Sequence, residues 1–208
     1  MAQPIVTPVR PDGPDSKRPL APGELALVQA FINSVDREEG IEEWPTPAHL
    51  ERWLADRALI APDDTARLDD DDLARAIAMR EALRDLIAWS NGDRSGTSPV
   101  ERLHAAAGEP GRLLRAEADA GGRLTLVPVA AGLDRVFAQM LAIVARAQVD
   151  GTWARMRLCR NPGCRWAFYD ASKNRSSVWC DMAMCGSRHK ARVYRARHRT
   201  SDERQPER

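Results

Sequence analysis

The chain has 208 residues, ordinary apolar content and a formal net charge of +1, enough for one large domain or for a medium and a small one. No long uncharged apolar run occurs, which excludes a membrane-spanning helix, and the Pro-rich, charged start has no hydrophobic centre, so no signal peptide is expected. A cytoplasmic location follows, where paired cysteines serve metals in preference to disulfides. The charge is segregated. Residues 151–208 hold fourteen Lys/Arg against five Asp/Glu, and residues 1–150 hold seventeen against twenty-five. Such a division points to a polyanion partner for the C-terminal end, or to docking of the two halves on each other.

Residues 1–22 carry six prolines and read as a disordered leader. From Gly23, Leu25, Val28, Phe31, Ile32 and Val35 share one face at helical spacing, with Asn33 and Arg37 on a more polar side. Thr46-Pro47 combines a capping hydroxyl with proline at the first helical position and starts a second helix, expected to reach about Leu59. An acidic loop then leads to a third helix, roughly 71–90, stopped by Asn91-Gly92. Its apolar stripe contains Arg80, which either snorkels to water or reaches a buried carboxylate or an anionic ligand. Ser98 and Glu101 match a capping box for a short helix ending near Gly108. A hairpin is expected around residues 119–122, and residues 133–149 form the cleanest amphipathic helix.

All four cysteines follow, as Cys159-x4-Cys164 and Cys180-x4-Cys185. Four thiolates suit a tetrahedral zinc ion, and Asn161-Pro162-Gly163 supplies turn chemistry to bend the first pair back on one metal. Buried free thiols and a rubredoxin-like iron are the alternatives. With four thiolate ligands no coordination position is left for a catalytic water, so the site is structural. A strand from Trp153, a return strand at Phe168-Tyr169, a polar turn over 170–177 and a helix from Trp179 complete a knuckle–hairpin–helix order of treble-clef type. On that helix Arg188, Arg192, Arg195 and Arg199 form one stripe, with Lys190 and Arg197 to the side; arginine forks suit phosphates and guanine edges. His189 is expected to pack or to contact backbone. Trp166, Phe168, Tyr169 and Trp179 form either the finger core or a base-stacking surface.

The stretch Phe168 to Arg175, followed by Trp179-Cys180-x-Met182-x-x-Cys185-Gly186-Ser187-Arg188-x-Lys190, resembles the bacterial CGNR zinc-finger family. Phe31-Ile-Asn33-Ser34 and Arg80-Glu-Ala-Leu-Arg84 are similar to stretches of the ABATE domain, a class described as candidate stress-induced transcription regulators. The resemblance spans about residues 25–199 and implies one structural zinc on Cys159, Cys164, Cys180 and Cys185. It also implies DNA contacts, for which Lys173, Arg175, Arg188, Lys190, Arg192, Arg195, Arg197 and Arg199 are the candidates, and an effector-sensing N-terminal domain. Ser187 stands where the motif has asparagine, and Ser177-Val178 where many members have arginines.

The expected architecture is mostly α with a small β-hairpin. A helical domain spans 23–151, a four-cysteine zinc finger with a basic helix spans 152–200, and the tail 201–208 is disordered. The expected function is a DNA-binding transcriptional regulator; the alternative is a zinc-stabilised protein- or RNA-interaction module. No phosphate loop, nucleophile elbow or His-Glu-x-x-His occurs, and His49 and His104 fall on exposed-looking helix positions, so no enzyme is expected. Asn33, Arg37, Arg80 and Arg84 are the candidate pocket for a small-molecule effector. DNA-reading modules often pair across half-sites, which keeps a homodimer open, although no heptad seam is visible.

Overall fold

The computed structural model describes residues 19–60, 67–95, 98–108 and 110–202, with the backbone alone at 110, 193 and 196–202. Most of the expected leader, most of the expected tail and residues 61–66 of the expected acidic loop lie outside the described residues. The chain is engaged from Pro19 onward, earlier than Gly23: the Pro19 carbonyl accepts from the Gln29 side chain at 3.0 Å, and Ala21 is buried.

Helix α1 (Leu25–Ile32) is buried at every residue, the polar Gln29 included, so burial runs round its full circumference and not along one stripe. It stops at Asn33. The Ser34 hydroxyl returns to the Phe31 carbonyl at 3.0 Å, and the Asp36 carboxylate accepts from the amides of Glu38 and Glu39 at 2.9 and 3.0 Å. These local bonds compete with helix continuation. Val35 therefore sits in strand β1 (Val35–Asp36), paired antiparallel with β2 (Ile41–Glu42), and not on a helical face.

Helix α2 (Pro47–Ala55) begins at the proline as expected and ends before Leu59. Thr46 does not cap the backbone; its hydroxyl bonds the His49 ring at 2.8 Å. The reciprocal capping box occurs at Asp69 and Asp72, where α3 (Asp70–Ser90) begins with three acidic residues that complement the helix dipole. Ser98 caps α4 (Pro99–Ala107) by accepting from the Val100 amide. A short α5 (Pro110–Leu113), unforeseen in the sequence, leads into hairpin β3 (Leu114–Ala118) and β4 (Leu124–Pro128). Helix α6 (Gly132–Val149) closes the domain.

The core is built from α1, α3 and α6, with Phe31, Trp44 and Trp53 edge to face at centroid distances of 4.9 to 5.8 Å. Among the described residues no helix is long and apolar enough to cross a membrane. Arg80 resolves in favour of a carboxylate, which is half-buried and not fully buried. The arginine is 3% exposed and forks onto both oxygens of Glu42 at 2.8 Å, with Ser34 Oγ at 3.0 Å.

Burial raises the Glu42 carboxyl, but the Arg80 fork, the Trp44 amide and the charges of Arg80 and Arg84 hold it below its ordinary value. The pair thus contributes stability above the ordinary carboxylate range and loses it as pH falls through the lowered value. Glu42→Gln weakens the fork on a buried guanidinium that keeps Ser34 and, at 3.4 Å, Glu81, and is expected to cost about 1.5 kcal/mol at pH 7 in urea denaturation. That cost should shrink below pH 4. An equal cost at pH 7 and pH 3 would contradict the pairing.

Candidate metal centre

After α6, a 3-10 turn (Trp153–Arg155) feeds β5 (Met156–Leu158), which pairs antiparallel with β6 (Ala167–Tyr169). The first cysteine pair occupies the tip of this hairpin. The Asn161 carbonyl accepts the amides of Cys164 and Arg165 at 2.9 and 3.1 Å, folding the knuckle. Backbone amides of Asn161 and Cys180 are directed at the Cys159 sulfur, and that of Trp166 at the Cys164 sulfur. Such bonds favour thiolate over thiol.

The second pair does not lie on a regular helix begun at Trp179. Residues 176–181 carry no helix, a π-helical turn covers Met182–Gly186, and α7 runs Ser187–Asp202. The reason is geometric: in a regular helix, sulfurs five positions apart point in different directions, whereas here Cys180 precedes the turn and Cys185 lies within it, and both reach one centre. The Asp181 side chain caps the turn by accepting from the Met184 amide at 2.9 Å.

All four Sγ atoms lie within 4.8 Å of one another and all four residues are buried. Cys164 to Cys180 is 3.7 Å and Cys180 to Cys185 is 3.8 Å. A tetrahedron with zinc–sulfur bonds of about 2.3 Å has edges of about 3.8 Å, so the donor set fits one zinc ion. The spacing also excludes disulfides. Hydrogen bonds from Cys164 and Cys180 lower the Cys159 thiol, whereas bonding to Cys159 raises Cys164 and Cys180, and burial raises Cys185. Sulfurs this crowded do not all ionise without a cation among them. Zinc supplies a fixed tetrahedral cross-link between hairpin and helix, with no position open for chemistry.

Of the aromatic residues, Trp166 and Phe168 are buried in the small cluster around the cysteines, which removes them from base stacking. Trp179 packs on His189 at 4.8 Å between centroids. Arg188, Lys190, Arg192 and Arg195 are exposed along α7, and Arg197 and Arg199 follow on the same helix. Lys173 and Arg175 are exposed on a loop that Asp170 organises by accepting from the amides of Ser172 and Ser177, each at 3.0 Å.

The finger is fastened to the helical domain. The Asn33 side chain accepts from the Ala167 amide at 2.8 Å and donates to the Ala167 carbonyl at 2.7 Å, while Gln29 donates to the same carbonyl at 3.1 Å. Asn91 donates to the Met156 carbonyl at 3.0 Å. Glu38 inserts between the halves, accepting from Arg188 and from Asn161, with Cys185 Sγ 3.6 Å away. The four residues expected to form an effector pocket are joined mainly to internal partners. Asn33 holds the finger, Arg37 pairs with Glu81, Arg80 with Glu42, and Arg84 with Glu81 and the Ile32 carbonyl. Burial lowers Arg84 to about 10, so it stays cationic at neutral pH. Gln29, Glu38, Asn91 and Asn161 were not singled out in the sequence as seam residues. Only Gln29 gave a signal, as a polar side chain on a helix of apolar neighbours.

A family model described as "CGNR zinc finger" matches residues 155–198. A second, ABATE, described as "Putative stress-induced transcription regulator", matches residues 25–151. The second covers more than half of the chain, which therefore belongs to the ABATE family and carries a CGNR finger behind that domain. No curated protein matches the chain.

Elemental analysis of the purified protein is expected to give one zinc per chain. Cys180→Ser, which removes the sulfur adjacent to both Cys164 and Cys185, should bring the metal close to zero. Iron in place of zinc, or full zinc retention in Cys180→Ser, would contradict the assignment.

Proposed function

We propose that this ABATE-family chain is a cytoplasmic, DNA-binding regulator of transcription, a binding protein without catalysis. Its zinc finger holds α7 against duplex DNA, and its helical domain responds to a small-molecule effector. The observation that carries the reading is the run of exposed cations on α7, Arg188, Lys190, Arg192 and Arg195, continued in sequence by Arg197 and Arg199. A metal site with four thiolates supports the helix at its start. Guanidinium forks meet phosphates and guanine edges in fixed geometry. Lys173 adds an exposed cation from the preceding loop, whereas Arg175 lines a separate cavity.

Arg188 is the least available of the set. Its bond to Glu38 raises its pKa and ties it to the helical domain, so DNA engagement by this residue requires that bond to exchange. The reading as a single-stranded RNA module is less well supported, because Trp166 and Phe168 are core residues of the finger. A homodimer spanning two half-sites is the assembly that DNA recognition favours.

Fluorescence anisotropy with random-sequence duplex and zinc-loaded protein tests the reading. If six cations meet phosphates, affinity should fall roughly 10³-fold between 50 and 200 mM salt. Arg192→Gln and Arg195→Gln should each weaken binding and reduce the salt slope by about one. Absence of binding at low salt, or binding with no salt slope, would overturn it.

A further inference from the structure

A cavity of about 520 Å³ opens between the C-terminal end of α3 and the finger, a volume typical of small-molecule sites. The helical domain contributes Ala88, Asn91 and Asp93, and the finger contributes Arg157, Arg160, Arg165 and Arg175. Among the described residues only Arg165 of these four has a carboxylate partner, Asp85 at 3.7 Å. Arg157 instead donates to the neutral Asn91 side chain and to the Arg175 carbonyl. Four guanidiniums on one concave wall repel one another unless an anion joins them.

The charge near the wall does not cancel. Asp93 and Asp85 bring one negative charge each, and zinc with four thiolates, one of them the wall residue Cys159, brings about two more. Asp85 is shared with Arg102 at 2.5 Å, so five arginines exceed that sum by about one. The Nε–H groups of Arg157 and Arg165 are buried and find no acceptor among the described residues, which leaves both guanidiniums short of hydrogen-bond partners.

The backbone adds an independent observation. Three non-glycine residues among those described have positive φ, and two of them, Arg165 at 50° and Arg175 at 51°, line this cavity. Arg165 takes that conformation from the knuckle turn. Arg175 ends a short loop turn, its amide bonded to the Ser172 carbonyl, where glycine or asparagine would fit with less strain. Backbone strain of this kind gathers at ligand sites.

We propose that this seam cavity binds the oxyanion of a small phosphorylated molecule, held by Arg157, Arg160, Arg165 and Arg175. It deepens the effector half of the reading above and rests on it only for the consequence of binding. Because the walls come from both the ABATE domain and the finger, a bound anion strengthens the docking of one on the other. The site differs from the sequence-based candidate at Asn33, Arg37, Arg80 and Arg84.

Isothermal titration of zinc-loaded, full-length protein with inorganic phosphate and with pyrophosphate, at constant ionic strength and without DNA, tests occupancy directly. Saturable one-to-one binding is expected. Arg175→Asn, which suits the left-handed backbone, and Arg160→Gln, at an exposed side chain, should each weaken it at least ten-fold with no loss of thermal stability. Arg115→Gln, on the exposed β3, should leave it unchanged. A parent protein that takes up neither anion, or variants that bind as the parent does, would overturn the proposal. So would variants that lose zinc while the parent shows no anion binding, since the arginines would then serve only the charge of the metal centre. A short duplex should leave pyrophosphate in place; displacement by the duplex, with parallel loss of DNA affinity in Arg160→Gln, would assign the cavity to the DNA backbone and overturn the small-molecule source. Anion binding is measured without DNA, so it stands or falls separately from the regulator reading.

Discussion

The side-chain amide of Asn33 meets the backbone amide and carbonyl of Ala167 as a strand neighbour would, with bonds of 2.8 and 2.7 Å. Both groups are buried, where an unmet backbone donor or acceptor costs about 1–3 kcal/mol. Strand β6 is therefore satisfied on one side by β5 and on the other by the end of α1. Since β6 leads directly out of the cysteine knuckle, the metal site, the α7 helix and the seam cavity all take their position from this contact. Met156 and Ala167 belong to the same apolar core as α1, α3 and α6. The finger is an extension of the helical domain's core and not a module on a tether.

This arrangement gives the charge segregation a structural meaning. The acidic half and the basic half meet at Glu38, whose carboxylate accepts from Arg188 and Asn161 beside the Cys185 sulfur. A carboxylate so close to a thiolate-rich centre is unfavourable unless cations stand beside it, and Arg188 supplies one. The same arginine heads the proposed DNA-binding stripe. Intramolecular docking and a polyanion partner thus draw on the same residue, and the sequence's two explanations for its charge division are coupled.

Much of the architecture was legible because strong local signals agreed with the tertiary structure. Pro47 fixed the start of α2, Asn91 the end of α3, and the spacing of the four cysteines the metal donor set. Arg80 announced itself by lying on an apolar stripe, although the sequence could not name Glu42, 38 positions away, as its partner. The failures share a cause. Val35 had an apolar side chain at helical spacing, but Ser34 and Asp36 offered the backbone closer partners. Trp179 had the look of a helix start, but two sulfurs that must converge on one metal keep Cys180 out of the helix, which begins only at Met182. The seam itself was invisible, because Asn33, Asn91 and Glu38 act through contacts more than 60 residues distant in sequence, which no local pattern encodes.

Amide hydrogen exchange at Ala167 tests most directly whether the Asn33 clamp joins finger and helical domain into one cooperative body. In the zinc-loaded protein, the Ala167 amide should exchange only through global unfolding, at the same free energy as core amides of α1 and α3. In Asn33→Ala it should open by a cheaper, local route while those core amides stay protected. Rapid exchange of Ala167 in the zinc-loaded parent, or protection unchanged by Asn33→Ala, would contradict the account.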